Sequence, residues 1–381
     1  MLFSTFRWKN NLNLHLSAPV RAYIQYRHKR FDLMTGFAQG IGVDSFFQEL
    51  KAHQVDSKPK QPLVIHLMYE LGFLLGQSSY LLSDDDPLAI VIEYQKTKFI
   101  KPKTKLKKIP LKGLERPNWT EYKEAFHYLQ EELLKGNGYQ FNLTYPFDFY
   151  TDDFFSPTDI HDFFFSKKLS SFAHASFLGE EMILSNSPEC LFTLQGDYLY
   201  SMPIKGTVKK KKNAIKKQVK DLFNDPKEDS ELIMISDLIR NDLNRLSNGD
   251  CEVPKIKKPL VLNNLIHQYS LLKTPVQKHW SLFDIISTLF PGGSITGAPK
   301  INAIRTLGRV ERYKRSVYCG TTILSWKSHL TGSINIRTAK INVEERLWTY
   351  GAGGGITLKS QAHSEFSEME SKVESFLTLL S

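Results

Sequence analysis

Cysteine is scarce in this chain. Cys190, Cys251 and Cys319 are an odd number, far apart and without CxxC spacing. That excludes a disulfide framework and a Cys-based zinc site, and it fits a reducing compartment. No apolar run reaches the ~18–20 residues of a membrane helix. No compact apolar segment precedes a small-residue cleavage site, so secretion is not expected. The acid-free, Arg-containing N-terminus resembles a transit peptide only loosely, and a cytoplasmic location is expected. Lys300 is not preceded by the GxxxxGK[ST] pattern, so nucleotide binding is not indicated. No repeat of fixed period is present.

What is present is a globular composition. Hydrophobic residues make up 41% of 381 positions and charged residues 24%, which rules out wholesale disorder and leaves room for several packed layers. The formal net charge is +10, with 50 Lys and Arg against 40 Asp and Glu. Its distribution matters more than its size. Residues 1–31, 96–112 and 205–220 hold 22 of the 50 basic residues and no acid, so the rest of the chain is net acidic. A polyanion partner does not follow from the total.

Patterning indicates the architecture. Leu88–Tyr94 reads as a buried strand, and Pro62–Leu75 as buried structure of some kind. Lys96–Lys112, with lysine and proline between isolated apolar residues, reads as a solvated edge strand or a connector. It marks a boundary between an N-terminal region, 1–112, and a second region, 113–381. Apolar residues at Tyr122, Phe126, Leu129 and Leu133 predict a helix with Thr120 as N-cap and Gly136 as its stop. Helices are expected again over 158–170, 213–223, 228–243, 299–309 and 363–380, with strands over 173–200 and 317–350. Antiparallel strands between helices imply an α+β fold of layered sheets with helices outside.

Four segments are rich in residues that perform chemistry. In 187–207 (SPECLF…PIKGT), Glu189 and Lys205 lie on neighbouring strands, as an acid and nucleophile pair or as a surface ion pair. In 228–246, Glu231 and Asp237 share a helix with five apolar residues; a buried carboxylate there must be paired, protonated or metal-bound. Arg240, Asn241 and Asp242 read as an ion-pair network. In 290–311, glycines precede Pro299 at a helix start, where backbone N–H groups can face an anion. In 333–372, Arg337 lies in an apolar strand where an anionic ligand would satisfy it. Glycines 351 and 353–355 permit close approach of a ligand. Glu365 and Glu368 share one helix face, with Lys372 as a simple salt-bridge partner of Glu368. Together with Glu231 they would suit a hard cation such as Mg²⁺.

Taken in order, GYQFNLT, NSPECLF, PIKGT, ELIMISDLIRNDL, FPGGSITGAPK, INIRT and GAGGGI with ExxExxxK resemble the chorismate-utilising enzymes. That family includes anthranilate synthase component I, aminodeoxychorismate synthase component I, isochorismate synthase and salicylate synthase. The matching stretches span about 120–372, and LMYELG with DDDPLAIVIEY resembles the weaker N-terminal half. The resemblance implies the layered chorismate-binding enzyme fold, with 1–112 structurally part of it and 113–381 as the catalytic domain. It also implies Mg²⁺ held by Glu231 and Glu368, with Glu365 nearby through water. Arg337 and Tyr318 would meet the enolpyruvyl carboxylate, assisted by the amides of Gly353 and Gly354. Lys372 would add positive charge, and Thr207 and His267 would line the ring.

Lysine in the PIKGT turn resembles aminodeoxychorismate synthases; anthranilate and isochorismate synthases typically have alanine there. Gln140 stands where water-activating members carry lysine, as in the ammonia-using members. The implied reaction is formation of 4-amino-4-deoxychorismate from chorismate and ammonia, toward 4-aminobenzoate and folate. Glu189 would be the acid and Lys205 a nucleophile that must be neutral part of the time, through a depressed pKa. No cysteine sits in a glutaminase-type nucleophile elbow, so a separate glutamine amidotransferase is expected to supply ammonia. Asn244 and Cys319 replace family glycines. The nearest rival is anthranilate synthase component I, against which Lys205 argues. A non-catalytic nucleic-acid-binding or scaffold relative would account for the lysine runs. Those runs lack interleaved aromatics, and neither a nucleic acid nor a membrane is an expected partner.

Overall fold

The computed structural model describes residues 2–103, 106–261 and 265–380, without the side chains of Leu114, Thr207, Lys209, Lys212, Lys227 and Leu265. Strands pair antiparallel throughout a long ladder that folds back on itself. One half runs through Gln140–Tyr150, Leu347–Ile356, Thr338–Asn342, Glu181–Ser185, His174–Phe177 and Phe3–Arg7. Phe3–Arg7 then pairs with Asn13–Gln25. The other half continues through Ala89–Ile100, Leu63–Leu67, Thr321–Trp326, His329–Ile334, Cys190–Gln195, Tyr198–Met202 and Leu265–Pro275.

Alternation explains the layers. In Gln140–Tyr150 the odd-numbered residues Phe141, Leu143, Tyr145, Phe147 and Phe149 are buried against the helices Trp119–Leu134, Pro157–Ser166 and Ala362–Leu380. On the other half, residues such as Ile65, Leu67, Ile323 and Leu330 pack against Val43–Ala52, Pro226–Ser247 and Leu282–Leu289. Between the two halves lie Leu14, Leu16, Val64, Ile90, Ile183 and Leu324. The expected α+β class, sheets face to face with helices outside, is the observed one.

Several local expectations shift. Pro62–Leu75 divides into the strand Leu63–Leu67 and the short helix Leu71–Leu75. Lys96–Ile100 is the exposed end of the strand Ala89–Ile100, and among the described residues it pairs only with Asn13–Ser17, while Leu63–Leu67 reaches no further than Glu93, so it is the solvated edge expected there. Further along the run, Lys103, Lys107 and Lys112 pair with Asp162, Asp153 and Asp152. Asn118, not Thr120, caps the Trp119–Leu134 helix, accepting the Thr120 N–H at 2.8 Å. Gly136 does follow the helix end, with φ +77°.

Two connections position the site. The chain leaves Glu181–Ser185 in one half and enters Cys190–Gln195 in the other through 186–189. It returns from His329–Ile334 to Thr338–Asn342 through 335–337. These crossovers are tied together: Asn186 N–H to the Arg337 carbonyl at 3.0 Å, Ile334 N–H to the Glu189 carbonyl at 3.1 Å, and the Ser187 hydroxyl to the Ile334 carbonyl at 2.5 Å. Glu189 and Arg337 therefore sit at the same switch between sheets.

Candidate active site

Lys205 is aimed by a bulge. Lys205 stands opposite Gln268 and Thr207 opposite His267, with Gly206 as the extra residue at φ +64°. A Cβ at Gly206 would lie 2.7 Å from Leu222 Cδ1 and 3.1 Å from Glu228 Oε2, so only glycine fits. The Lys205 amine donates to Glu231 Oε2 at 3.2 Å. Both side chains are largely buried, which sets aside the surface-pair reading. The backbone of Thr207 pairs with His267 as stated; its side chain lies outside the described residues.

Glu189 completes this group. It is buried at 4% exposure, and its Oε1 has no hydrogen-bond partner. Burial raises its carboxyl to about 7, against the opposing pull of Lys205, Ser294 and the Ile204 N–H. A carboxyl with that pKa can donate a proton near neutral pH. Lys205 departs from the expected depression. Burial pushes its pKa down, but Glu231 and Glu189 push it up further, and the net shift is upward. Two facing carboxylates favour the ammonium more than burial disfavours it.

A second group is built around Arg337. Arg337 adopts φ +53° at its crossover, a conformation that strains a residue with a side chain. Burial lowers its pKa, with Tyr350 acting against the shift. Among the described residues its guanidinium makes no ion pair. His267 is 1% exposed, with Nδ1 3.3 Å from the Gly206 carbonyl. Burial, helped by Arg337, lowers it to about 4, so the ring is neutral at physiological pH. His267 thus links the lysine turn to Arg337. The Tyr318 ring lies flat on Gly351, where a Cβ would come within 2.1 Å of it, and burial holds its phenol protonated.

The glycine strand is closely packed. Gly353 is required by the Leu143 carbonyl, 2.3 Å from where its Cβ would be, and Gly355 by the Gln140 amide at 2.4 Å. Close packing explains both, without a ligand. Gln140 itself is fully buried, and neither polar atom of its amide has a partner. Gly354 faces the C-terminal helix instead: its Cβ position is 3.5 Å from Glu365 Oε2 and 3.9 Å from Lys372 Nζ. Lys372 donates to the Gly353 carbonyl at 2.7 Å and pairs with Glu368 at 3.1 Å. The simple salt bridge is therefore present, and it also anchors the helix to the strand.

In 290–311 close packing accounts for another glycine. Gly293–Thr296 is a four-residue helix, and the Gly293 Cβ position is 2.3 Å from Leu238 Cδ2. Cys319, where the family pattern has glycine, adopts φ +61°, a conformation glycine takes without strain. Asn244, the other departure, accepts the Cys251 N–H at 3.0 Å. The Arg240–Asn241–Asp242 stretch forms the expected ion pairs, Arg240 with Asp237 and Asp242 with Lys300.

The donor set was tested against a metal. Glu231 is engaged by Lys205 and Glu368 by Lys372, and Glu365 is buried at 3% exposure. Among the described residues, no three His, Cys, Asp or Glu side chains form a ligand cluster. A few carboxylate oxygens, with no imidazole or thiolate, fit Mg²⁺, which keeps several waters and shares its shell with anionic substrates. They do not fit a structural zinc site.

Sequence reasoning missed Ser294, Gln268, Glu228 and the Glu311–Arg315 pair. Arg315 is fully buried and donates to Glu311, to the Ile295 carbonyl and to the Asn142 carbonyl. Glu311 also accepts the N–H and hydroxyl of Thr144 at 2.9 Å. This pair holds the Gln140–Tyr150 strand against the segment carrying Ser294. Its signal was an i, i+4 Glu–Arg spacing just before Tyr318.

The family model described as chorismate binding enzyme matches residues 59–378, and the chain belongs to that family. Aminodeoxychorismate synthase component 1 of Klebsiella aerogenes is 32% identical over 265 residues, 68% of this chain and 57% of that protein. Anthranilate synthase component 1 2 of Haloarcula marismortui is 29% identical over 267 residues, 68% of this chain and 49% of that protein. The chain thus spans about half the length of these relatives. Anthranilate synthase component I of Streptococcus pneumoniae TIGR4 shares the fold, with a TM-score of 0.79 at 19% identity, covering 97% of this chain and 93% of that one. Among the described residues no helix is long and apolar enough to cross a membrane.

Proposed function

We propose that the chain acts as aminodeoxychorismate synthase component I, converting chorismate and ammonia into 4-amino-4-deoxychorismate and water. The observation that carries this reading is Lys205, buried at a glycine bulge beside the carboxyls of Glu189 and Glu231. Anthranilate formation has no use for a lysine nucleophile at that place. The relatives named component 1 support a separate amidotransferase subunit as the ammonia source.

In this reading Glu189, protonated near neutral pH, gives its proton to the C4 hydroxyl, which leaves as water. Neutral Lys205 Nζ bonds to C2 as both ring double bonds shift toward C4 and the C4–O bond breaks. Ammonia then bonds to C4, the bond from C2 to Lys205 breaks with its electrons returning to Nζ, and the surplus proton goes to Glu189. Lys205 must first lose the proton that its carboxylate neighbours stabilise. Arg337, with Tyr318 and neutral His267, receives a substrate carboxylate. Glu231 and Glu368 would hold Mg²⁺, with Glu365 nearby; the cation supplies positive charge that offsets the substrate's negative charge.

The test is an assay of the chain with chorismate, ammonium chloride and MgCl₂. Aminodeoxychorismate without pyruvate is expected. Anthranilate together with pyruvate would overturn the reading in favour of anthranilate synthesis.

A further inference from the structure

Beside Lys205 stands a buried side chain that the steps above leave unused. Gln268 stands opposite Lys205 in the ladder and opposite Pro259 on its other flank. Its side chain is fully buried, and among the described residues neither Oε1 nor Nε2 has a hydrogen-bond partner. An unpaired buried amide is unfavourable, and an apolar side chain of similar size would avoid the penalty.

The direction of this side chain follows from strand alternation. His267 lies toward Arg337, close enough for that charge to act on it. Gln268 points to the other face, toward the helices Ile215–Phe223 and Pro226–Ser247. Gly206 shows where: its Cβ position is 3.4 Å from Gln268 Nε2, 3.1 Å from Glu228 Oε2 and 2.7 Å from Leu222 Cδ1. The charges of Glu231 and Glu228 both act on the Lys205 amine.

The two faces of the ladder therefore differ in charge. The Arg337 and His267 side suits carboxylates. The side shared by Lys205 and Gln268 carries Glu228 and Glu231, whose carboxylates attract a small hydrogen-bond donor. A primary amide offers one acceptor and one donor group, and ammonia offers three N–H donors and one lone pair.

We propose that Gln268, buried and unpartnered behind Gly206, binds the ammonia co-substrate beside Lys205, with Glu228 as a further acceptor. Oε1 accepts an ammonia N–H, and this leaves the nitrogen lone pair free for the substrate. The proposal rests on the preceding reading only in taking ammonia as a co-substrate.

Steady-state kinetics of the full chain test it, with ammonium and chorismate varied separately in wild type, Gln268→Leu and Gln268→Asn. Gln268→Leu is expected to raise the KM for ammonium about fivefold to tenfold. The KM for chorismate should stay within about twofold, since uniform binding of the ring is untouched. Gln268→Asn, which retracts the amide, should shift the ammonium KM in the same direction. The thermal midpoint of Gln268→Leu should be unchanged or higher, because an unpaired buried amide has been removed. An unchanged ammonium KM, or a rise confined to the chorismate KM, overturns the proposal. So does failure of Gln268→Leu to fold, which would make the amide a structural member. Lys205→Ala is assayed alongside. If it keeps full activity, or if wild type forms anthranilate, the reading of the preceding subsection falls. The ammonium KM still decides Gln268, because both products take up ammonia.

Discussion

Lys205 and Lys300 each bring a buried ammonium to a carboxylate of the Pro226–Ser247 helix, but the two contacts are completed differently. Lys300 donates to Asp242 at 2.5 Å and to the carbonyls of Thr288 and Leu289 at 3.2 and 3.1 Å. Its three N–H donors are matched by three acceptors, two of them at the end of the Leu282–Leu289 helix, where a cation is favoured. Lys205 makes a single bond of 3.2 Å to Glu231, beside the unpartnered Oε1 of Glu189 and the unpartnered amide of Gln268. Salt bridges on one helix can thus serve opposite ends. A fully matched lysine holds elements together, whereas an incompletely matched one leaves polar atoms for a ligand.

Exchanging the roles by mutation would break this comparison. Lys205→Ala is expected to have the largest effect, loss of measurable aminodeoxychorismate formation with the fold retained, read by product chromatography and circular dichroism. Retained full activity would remove Lys205 as nucleophile. Glu189→Gln should lower kcat by about 10²–10⁴-fold, the range for losing a general acid. Lys300→Met should act on stability instead. It leaves Asp242 buried and unpaired, at a loss of about 3–5 kcal/mol in denaturant unfolding. The double variant Asp242→Leu with Lys300→Met should recover most of that, because an apolar pair needs no counter-charge. Recovery of stability without any single-mutant loss would show that Lys300 is not the structural partner described.

The pH dependence sharpens the same contrast with a smaller effect. Glu189 acts as an acid only when protonated, so the limb of kcat that it controls should fall as pH rises through about 7. Stability moves in the same direction. With its folded pKa raised from 4.5 to about 7, the native chain holds a proton there that the unfolded chain has lost. Stability therefore declines as pH rises across that window. Glu189→Gln should remove both slopes, whereas Lys300→Met should leave the kcat limb in place. A kcat profile flat from pH 5 to 8 in wild type would exclude Glu189 as the acid.

Much of the fold was readable because alternation and helical spacing are local. Phe141 to Phe149 and Tyr122 to Leu133 declare a half-buried strand and an amphipathic helix without reference to anything distant. The lysine-rich stretch after Tyr94 was legible as a solvated edge for the same reason. Polarity shows that a segment is solvated, but not that it is the overhang of a central strand. The carboxylates and Lys205 were legible as chemistry-bearing types in ordered motifs. Gln268 and Arg315 were not, since nothing local separates a buried polar residue from a surface one.

Residue types and their order along the chain were enough to indicate layered antiparallel sheets, family membership and the identity of Glu189, Lys205, Glu231 and Arg337 as candidates. Which of them share a site depends on contacts between residues far apart in the chain. The crossovers at 186–189 and 335–337 carry Glu189 and Arg337 to the same switch between sheets, and the bulge at Gly206 turns Lys205 toward Glu231. Charge balance followed from the same packing. Burial alone would have depressed the Lys205 pKa, and two carboxylates from other elements reversed it. Electrostatic energy depends on distance and surroundings, and neither is written in the order of residues.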